Sequence, residues 1–468
     1  MDVCGGTLSG SAVVEAIGGR VSPAVAFDAF CGLPYPFFLD SGLADARLGR
    51  FSFLGAEPSL VVSAKGRSVR LWENGFERQL TGSPFHVLRS LLERHRVGAS
   101  EAPVPFIGGF VGYLAYDLCH FVERLPRTAA DDTAFPDMHF ALYDSLAAYD
   151  HAAGRWYGVS LVGEEPIERI EALLASAAPD EACAGRPAST GPLSANFTRD
   201  AYLAAVRRAK DYIAAGDIFQ VNLSQRFETA VSVPPAELYR RLRQANPAPF
   251  AAYLGLDAEG AAVLSSSPER FLKVTGRHVE TRPIKGTRPR GRTADEDRRL
   301  AAELLASPKD SAELTMIVDL ERNDLGRVCD YGSVAVTEHK AVEPYASVFH
   351  LVSTVEGRLH EGRDLVDLLK ATFPGGSITG APKIRAMEII DELEPTQRSV
   401  YTGSIGYIGL DGTMDLNIAI RTILVRGERA FFQVGGGIVA DSDPAAEYQE
   451  TLDKGRRLFA ALGHSHER

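Results

Sequence analysis

The sequence predicts an α+β fold in which large, mostly antiparallel β-sheets are flanked by helices. Short strand patterns crowd the first part of the chain, and in the second part strands and helices do not alternate one for one. This order favours antiparallel sheets over a doubly wound parallel sheet. No repeat of fixed period occurs, so a solenoid or a propeller is not expected.

Composition divides the chain into an N-terminal region (residues 1–176), a linker (177–195) and a C-terminal region (196–463). The linker contains AAPDEACAGRPASTGP over 177–192, which is small, polar and interrupted by prolines. Such segments are typical of exposed connectors, and we expect no packed core there. In the N-terminal region, strands are predicted at Phe37–Leu39, Ser59–Ser63 and Phe106–Ala115.

The C-terminal region opens with a helix signal. Thr198 can cap the helix, apolar residues follow at helical spacing as far as Ile213, and Gly216 ends the run. Further strands are predicted at Val221–Phe227, Ala261–Ser266, Arg270–Val274, Ser404–Leu410, Ile418–Val425 and Ala430–Val434. Further helices are predicted at Ser307–Asn323, Pro382–Leu393 and Pro444–Leu462.

Bulk properties exclude several classes of protein. The 468 residues have a formal net charge of −11, so a global basic field for nucleic acid is absent. No apolar run approaches the roughly 18 residues that span a bilayer, and the N-terminus lacks a secretory signal. The five cysteines show no paired spacing, which fits a reducing compartment. We therefore expect a cytoplasmic protein that binds neither nucleic acid nor membrane.

Two predicted helices present acidic residues that could hold a cation. In the last helix, Glu447, Glu450 and Lys454 follow at steps of three and four, which places them on one face. In an earlier helix, Asp310 and Glu313 are three residues apart. Carboxylates from two helices could converge on Mg²⁺, which prefers oxygen ligands and keeps several waters. Solvated charge on ordinary helix faces is the alternative reading.

Two glycine-rich segments could hold an anion. FPGGSITGAPK (373–383) leads into a predicted helix, and Gly435, Gly436 and Gly437 follow a predicted strand. Backbone amides at such junctions attract carboxylates or phosphates. The first segment is not a Walker A loop, because Ala381 and Pro382 stand where lysine and serine or threonine should be. A tight turn is the simpler alternative for either segment.

A basic loop, TRPIKGTRPRG (281–291), contains a lysine in partly apolar surroundings. Such surroundings can lower the pKa of an amine, so Lys285 could act as a nucleophile. A solvated loop that binds nothing is the alternative.

Taken together, these segments resemble the chorismate-utilising enzyme family. Nine motifs occur in the family's order across most of Asp217–Lys454: GDIFQVNLSQRF, SSSPERFL, TRPIKGTRPRG, MIVDLERNDLGRV, VFHLVSTVEGRL, FPGGSITGAPKIRAMEII, YTGSIGYI, IAIRTI and GGGIVADSDPAAEYQETLDK. The N-terminal region is similar to that of the anthranilate and aminodeoxychorismate synthase large subunits, notably at FLDSG (38–42). The resemblance implies that residues 196–463 form the chorismate-binding catalytic domain.

The resemblance also implies roles for individual residues. Glu313 and Glu450 would contact Mg²⁺, with Asp310 and Glu447 in the same cluster. Glu269 would be the general acid–base residue, and His350 would lie near the substrate ring. The chorismate carboxylates would be held by Ser377, Tyr407, Arg421, Lys454 and the amides of Gly435, Gly436 and Gly437. In relatives a tryptophan-sized pocket is lined by residues that match Ser41, Leu48, Gly49, Arg50, Phe51, Ala251, Ala252 and Tyr253.

Three positions favour one reaction within the family. Relatives that add water carry a lysine base where this chain has Gln220, so ammonia is the expected nucleophile. Lys285 stands where anthranilate synthases usually have alanine and aminodeoxychorismate synthases have lysine. The segment Tyr401–Tyr407 also looks more like the aminodeoxychorismate version.

The resemblance therefore predicts Mg²⁺-dependent amination of chorismate by ammonia to 4-amino-4-deoxychorismate, through a covalent adduct on Lys285, on the route to p-aminobenzoate and folate. None of the cysteines stands in the Gly-x-Cys-x-Gly context of a glutaminase. We expect ammonia from a separate glutamine amidotransferase subunit in a heterodimer, and a possible bound tryptophan. Two alternatives stay open: an anthranilate synthase large subunit, which also eliminates pyruvate, and a catalytically silent binding or regulatory subunit.

Overall fold

The computed structural model describes residues 12–43, 48–178, 187–189, 191–257, 260–345 and 348–464. Its strands form two large sheets in which every pairing between strands is antiparallel. The predicted α+β fold with antiparallel sheets is confirmed. Within these ranges, no helix is both long enough and apolar enough to cross a membrane.

The first sheet has twelve strands in the described part of the chain. They are β1 (Val13–Ile17), β2 (Phe37–Asp40), β3 (Phe51–Gly55), β9 (Ser145–Asp150), β10 (Arg155–Ser160), β11 (Ser194–Ala195), β12 (Gln220–Ala230), β13 (Phe250–Gly255), β14 (Ala262–Ser267), β20 (Gly380–Ala381), β23 (Thr422–Arg426) and β24 (Arg429–Ile438). Their order across the sheet is β1-β10-β9-β3-β2-β13-β14-β23-β24-β12-β11, and β20 pairs with β12.

The second sheet also has twelve strands among the described residues. They are β4 (Leu60–Lys65), β5 (Ser68–Glu73), β6 (Phe76–Thr81), β7 (Gly109–Leu114), β8 (Met138–Tyr143), β15 (Arg270–Thr275), β16 (His278–Arg282), β17 (Ile284–Pro289), β18 (Ala335–Pro344), β19 (Val348–Arg358), β21 (Ser404–Gly409) and β22 (Met414–Asn417). Their order is β17-β19-β16-β15-β22-β21-β7-β8-β4-β5-β6, and β18 pairs with β19.

Helices cover the outer faces of the two sheets. They are α1 (Pro23–Phe30), α2 (Pro84–Arg94), α3 (Glu165–Ser176), α4 (Arg199–Ala214), α5 (Pro235–Ala245), α6 (Ala294–Ala306), α7 (Pro308–Gly326), α8 (Leu365–Thr372), α9 (Lys383–Leu393) and α10 (Pro444–Ala461). Short 3₁₀ turns occur at Tyr116–Phe121 and Gly376–Ile378.

Three clusters of buried apolar side chains show how the layers stack. One cluster combines residues of both sheets, such as Phe53 from the first and Tyr113 from the second, so the sheets pack face to face. A second lies between the first sheet and helices α1, α3, α5 and α10. The third lies between the second sheet and helices that include α2, α7, α8 and α9. Burial of these apolar surfaces is the main force that holds the layers together.

The local predictions agree closely with these elements. Helix α4 begins after Thr198, whose hydroxyl accepts the amide of Ala201, and Gly216 follows its end with φ +83°. One predicted strand begins too early: Ile418–Val425 reduces to β23, because Arg421 has the left-handed φ of +54°, which no strand allows.

Both sheets include strands from each side of the predicted linker. Strand β2 pairs with β13 in the first sheet, and β7 pairs with β21 in the second. Part of the linker (179–186 and 190) lies outside the described residues. The expectation that nothing packs in the linker is wrong at Ala188, which is completely buried. The boundary between an N-terminal and a C-terminal domain therefore stays a prediction, because strands from both regions contribute to each sheet.

Candidate functional site

The acidic face of α10 lies directly beside the glycine-rich end of β24. Asp443 caps α10 by accepting a backbone amide at 2.9 Å, and Pro444 occupies the first turn. A Cβ atom at Gly436 would lie 3.3 Å from Oε2 of Glu447 and 3.4 Å from Oε1 of Glu450. Glycine at this position therefore leaves room for both carboxylates against the strand.

Hydrogen bonds fix this acidic face. Lys454 Nζ lies 2.6 Å from Glu450 Oε1 and donates to the carbonyl of Gly435 at 3.0 Å. The Ser442 hydroxyl donates to Glu447 at 2.6 Å. Burial raises the pKa of Glu447. Burial also acts to raise the pKa of Glu450, but the hydrogen bond from Lys454 and the positive charges of Lys454, Lys309 and Lys285 together lower it. The carboxyl of Glu447 is therefore protonated more easily than that of Glu450.

The second acidic helix, α7, faces the same region. Ser307 caps it by accepting the Asp310 amide at 3.3 Å, which places Asp310 and Glu313 in the first two turns. Burial raises the pKa of Glu313, and the nearby charges of Asp310 and Glu450 add to the rise. Carboxylates of α7 and α10 are therefore close enough to influence each other. Asp310 itself accepts a hydrogen bond from Arg288 at 3.1 Å.

Lys285 reaches this region from β17. Its amine donates to the carbonyl of Ser377 at 2.9 Å. Burial lowers the pKa of Lys285, while the negative charges of Glu313 and Glu269 oppose the shift. The amine is thus partly withdrawn from solvent and surrounded by the acidic groups that the sequence analysis singled out.

Glu269 lies directly before β15 and is 5% exposed. Burial raises its pKa, and the nearby Lys285 opposes that rise. A raised pKa keeps a carboxyl protonated at higher pH, as a general acid requires.

His350 lies across the strand pair β17–β19, opposite Thr287. Its Nδ1 is 3.0 Å from the Thr287 hydroxyl, and its ring meets the ring of Tyr345 edge-on at 4.9 Å. Burial, helped by the positive charge of Arg421, lowers the pKa of His350 to about 4. This imidazole is therefore neutral near pH 7.

The turn that contains Ser377 is held from behind by a buried ion pair that the sequence analysis did not single out. Lys383 forms an ion pair with Asp324 and donates to the carbonyls of Thr372 at 3.0 Å and Pro374 at 2.9 Å. Both charged residues lie within matched motifs, but sequence cannot show that they meet. Their contacts fix the path of the backbone on which Ser377 is presented.

Arg421 has a different tyrosine neighbour from the one predicted. Burial lowers the pKa of Arg421, and nearby Tyr401 and Glu450 oppose the shift, so these groups share one environment. Tyr407 is placed elsewhere: its ring stacks on Phe106 with centroids 4.3 Å apart and lines a separate cavity. The structure therefore places Tyr401, and not Tyr407, beside Arg421. Tyr401 and Tyr407 stand in the same motif, six residues apart. The path of the backbone between them determines which of the two side chains lies beside Arg421.

Gln220 lies where β12 meets the glycine-rich strand. It is 1% exposed, and a Cβ atom at Gly437 would lie only 2.0 Å from its Nε2. Its Oε1 has no hydrogen-bond partner among the residues that the structure describes. An amide, which cannot act as a strong base, thus faces the same glycine-rich segment as the acidic helices.

A separate cavity lies at the junction of the two regions, with about 460 Å³ of empty space that is partly open to solvent. It is lined by five of the residues predicted for a tryptophan-sized pocket: Ser41, Leu48, Phe51, Ala251 and Ala252. Gly49, Arg50 and Tyr253 do not line it. Arg50 pairs with Asp150 at 2.7 Å, and Tyr253 points from the opposite face of β13 toward Phe27.

Carboxylates of two helices approach each other beside the glycine-rich strand, Glu447 and Glu450 near Gly436 and Glu313 close enough to feel the charge of Glu450. Glu313, Glu447 and Glu450 offer oxygen ligands from two helices, the chemistry that Mg²⁺ prefers. Within the described ranges, no three acidic, histidine or cysteine side chains are placed to enclose an ion by themselves. A Mg²⁺ ion at these carboxylates would therefore need further oxygen ligands from waters or a substrate, which are ligands that Mg²⁺ commonly takes.

Comparison with known proteins identifies the family. The chorismate binding enzyme family matches residues 42–460. Aminodeoxychorismate synthase component 1 of Bacillus subtilis is 41% identical over 91% of this chain and 92% of its own length. Anthranilate synthase component 1 of Thermus thermophilus is 46% identical over 92% of each chain.

A solved structure agrees with the sequence matches. Anthranilate synthase component I from Streptococcus pneumoniae superposes with a TM-score of 0.76 at 34% identity, over 88% of this chain and 93% of that one. Relatives with either name thus match at similar identity along nearly the whole chain. The chain is a chorismate-utilising enzyme that belongs to the chorismate-binding family.

Proposed function

We propose that the chain aminates chorismate with ammonia to 4-amino-4-deoxychorismate, through a covalent adduct on Lys285. The observation that carries this proposal is the position of the Lys285 amine, which contacts the Ser377 carbonyl and lies among Glu269, Glu313 and Glu450. Withdrawal from solvent favours the neutral, nucleophilic amine.

In the first step, neutral Lys285 attacks carbon 2 of the ring. A carbon–nitrogen bond forms there, the two ring double bonds shift, and the carbon–oxygen bond at carbon 4 breaks. Glu269 gives its proton to the departing hydroxyl, which leaves as water. The buried, raised-pKa carboxyl of Glu269 is suited to this donation.

In the second step, ammonia attacks carbon 4 of the adduct. The new carbon–nitrogen bond forms, the double bonds shift back, and the bond to Lys285 breaks. Glu269, now ionised, takes a proton from the incoming nitrogen, which restores both residues. The enolpyruvyl group stays on the ring, so no pyruvate is released.

Glu313 and Glu450 would hold Mg²⁺, with Glu447 and Asp310 beside them. The ion supplies Lewis-acid polarisation of the ring carboxylate when it is bound. Arg421, Tyr401, Lys454 and the backbone of Gly435–Gly437 would bind and orient the substrate carboxylates. The neutral His350 would pack near the ring.

Two features support ammonia over water as the nucleophile. Gln220 occupies the position of the lysine base in relatives that add water, and an amide cannot activate water. The chain itself contains no glutaminase cysteine context, and the matched relatives are named as first components. We propose that a separate glutamine amidotransferase subunit supplies the ammonia.

Anthranilate formation is the second candidate, because the Thermus relative is 46% identical. Incubation with chorismate, Mg²⁺ and ammonium, followed by mass spectrometry, separates the two. Aminated chorismate with no pyruvate is the expected result. Release of pyruvate together with a fluorescent aromatic acid would establish anthranilate synthesis instead, and loss of chorismate without nitrogen incorporation would exclude both.

The activity should depend on pH through Glu269. Its pKa is raised in the folded protein, so the acid form persists above the ordinary value of about 4.3 and is lost as pH rises through the raised pKa. Glu269→Gln should lower kcat/KM by about 10²- to 10⁴-fold and remove the alkaline limb of its pH profile. The matched control Glu356→Gln, on β19, should keep the wild-type kcat/KM and the alkaline limb of the pH profile. If the alkaline limb of the pH profile were unchanged in Glu269→Gln, a group other than Glu269 would donate the proton to the leaving hydroxyl.

Substrate binding should depend on Tyr401 and not on Tyr407. Tyr401→Phe removes a hydroxyl beside Arg421 and should raise the KM for chorismate about tenfold. Tyr407→Phe should leave this KM within about twofold, because its ring lies in the other cavity. Steady-state kinetics of the two variants test the assignment, and the reverse pattern would restore Tyr407 as the substrate contact.

The cavity between the regions is proposed to hold tryptophan. Its lining combines aromatic Phe51 and Phe53 with the buried carboxylate of Asp40, which Arg243 contacts at 2.5 Å. Aromatic walls and one fixed charge suit an amino acid with a large ring. Equilibrium dialysis with tryptophan, compared between the wild type and Ser41→Trp, tests this, and equal binding would place tryptophan elsewhere.

A further inference from the structure

A carboxyl group occupies a core position of helix α7. The buried residues of this helix recur at helical spacing: Leu314, Ile317, Val318, Glu321, Asp324 and Leu325. Such spacing marks the stripe by which a helix packs on its neighbours, and the stripe is normally apolar. Asp324 is neutralised there by its ion pair with Lys383. Glu321 is 8% exposed and forms no ion pair within the described part of the chain. An apolar residue would satisfy the packing at this position, so the carboxyl requires another explanation.

Burial favours the protonated form of Glu321. An unpaired carboxylate loses much free energy when it leaves water, so such a group binds a proton instead. The Thr281 hydroxyl on β16 donates to its Oε2 at 3.1 Å. Burial raises the pKa of Glu321 well above its ordinary value, and the nearby charges of Glu269 and Asp324 add to the rise, whereas Thr281 and Lys383 oppose it.

Glu321 and the proposed acid Glu269 approach the same short segment of backbone. The carboxyl of Glu269 accepts the backbone N–H of Ile284. The carboxyl of Glu321 accepts the hydroxyl of Thr281, three positions earlier. Both carboxyls therefore lie against the chain that leads directly to Lys285.

The pairing of β15 with β16 explains why both carboxyls lie on the α7 side of the sheet. Arg270 lies opposite Arg282 and donates to Glu280 at 2.8 Å, so these side chains share one face. Because side chains alternate along a strand, Thr281 points to the other face, where it meets α7. Glu269, directly before Arg270, is close enough to α7 to act on the charge of Glu321.

Two carboxyls in one desolvated region titrate as a pair. A negative charge on either one makes ionisation of the other harder, so the pair keeps one proton after the first has left. The amine of Lys285 is also near Glu269, but it must be neutral to attack the ring. A neutral amine does not compensate a second negative charge, so the pair retains its last proton.

We propose that Glu321 is a positioning residue that acts through Glu269: it holds a proton in reserve and keeps Glu269 in its acid form. The inference rests on the proposed amination, in which Glu269 donates a proton to the leaving hydroxyl. When Glu269 is ionised, Glu321 transfers its proton to Glu269 and becomes the carboxylate. Glu269 later recovers a proton from the incoming nitrogen, so the pair returns to its starting state.

The pH profile of Glu321→Gln tests this reserve. Glutamine keeps the size and the acceptor for Thr281 but cannot ionise. In the wild type the alkaline limb of kcat/KM reports the last proton of the pair, whereas in the variant it reports Glu269 alone. The limb should move to lower pH by about one unit, so kcat/KM falls about tenfold on the limb and stays within about threefold on its acid side. Consumption of chorismate across pH at fixed Mg²⁺ gives both profiles.

Three further variants separate the reserve from a structural role. Asp319→Asn lies on the same helix, where Asp319 pairs with Arg322 at 3.0 Å on the exposed side, and it should keep the wild-type limb. Glu321→Leu restores the apolar stripe and should shift the limb as glutamine does, with no loss of thermal stability. The double variant Glu269→Gln/Glu321→Gln should lack the alkaline limb, as Glu269→Gln alone does.

The outcomes distinguish this proposal from the proposed function. An alkaline limb that is unchanged in Glu321→Gln would overturn the reserve and leave amination intact. An equal loss of kcat/KM at every pH would also overturn it, since that loss would indicate a structural role. Product analysis of the wild type that shows no aminated chorismate would overturn the proposed function. The limb is measured on chorismate consumption, so its shift would still show whether the two carboxyls share a proton.

Discussion

Replacement of Lys285 by alanine is expected to lower kcat/KM for amination by at least about 10³-fold, because the adduct can no longer form. In the wild type, rapid quenching followed by peptide mass spectrometry should detect a mass of chorismate minus water on the peptide that contains Lys285. The variant should show no such mass. Burial lowers the pKa of this amine, so the neutral form needed for attack is reached below the ordinary pKa of about 10.4.

Charge and nucleophilicity can be separated at this position. Lys285→Arg keeps a positive group that stays protonated, so it should be as inactive as the alanine variant. Lys273→Ala, on the partly buried strand β15, is the matched control and should retain activity. Full ammonia-dependent turnover in Lys285→Ala would refute covalent catalysis, even if the product were unchanged.

The second large effect concerns Mg²⁺. Glu313→Gln and Glu450→Gln each remove one negative oxygen from the pair of acidic helices and should raise the Mg²⁺ concentration for half-maximal activity by about 10- to 100-fold. Removal of Mg²⁺ by a chelator should abolish wild-type turnover. Isothermal titration of Mg²⁺ in the presence of chorismate gives the affinity directly, without reliance on rate.

Asp453→Asn provides the control on the same helix. Asp453 lies on α10 but pairs with Arg456 on the solvent side, so its Mg²⁺ titration should match the wild type. An unchanged titration in Glu450→Gln or Glu313→Gln would remove that residue from the metal site.

Helix boundaries and the composition of the acidic faces could be predicted from sequence. In α10, the cap at Asp443, the proline after it and the steps from Glu447 to Lys454 are local features, and local features are set by backbone geometry. The family motifs also predicted the overall fold, and the two antiparallel sheets confirm that prediction.

Convergence of distant segments could not be predicted from the residues alone. Lys285, Glu313 and Glu450 meet because β17, α7 and α10 are brought together by strand pairing across long sequence separations. Which tyrosine lies beside Arg421, Tyr401 or Tyr407, could not be predicted for the same reason, since side-chain direction depends on where β21 begins. At Arg421, a left-handed backbone interrupts a run of residues that locally favours a strand.

The interleaving of early and late strands has a consequence for how the chain can be divided. If residues 196–463 were expressed alone, β13 would lose its partner β2 and β21 would lose its partner β7. Two strand edges would then be exposed with unpaired backbone hydrogen-bonding groups. Exposed strand edges pair with strands of other chains, so such a fragment should aggregate. Co-expression of the complementary piece should rescue it, because each half supplies the missing neighbours of the other.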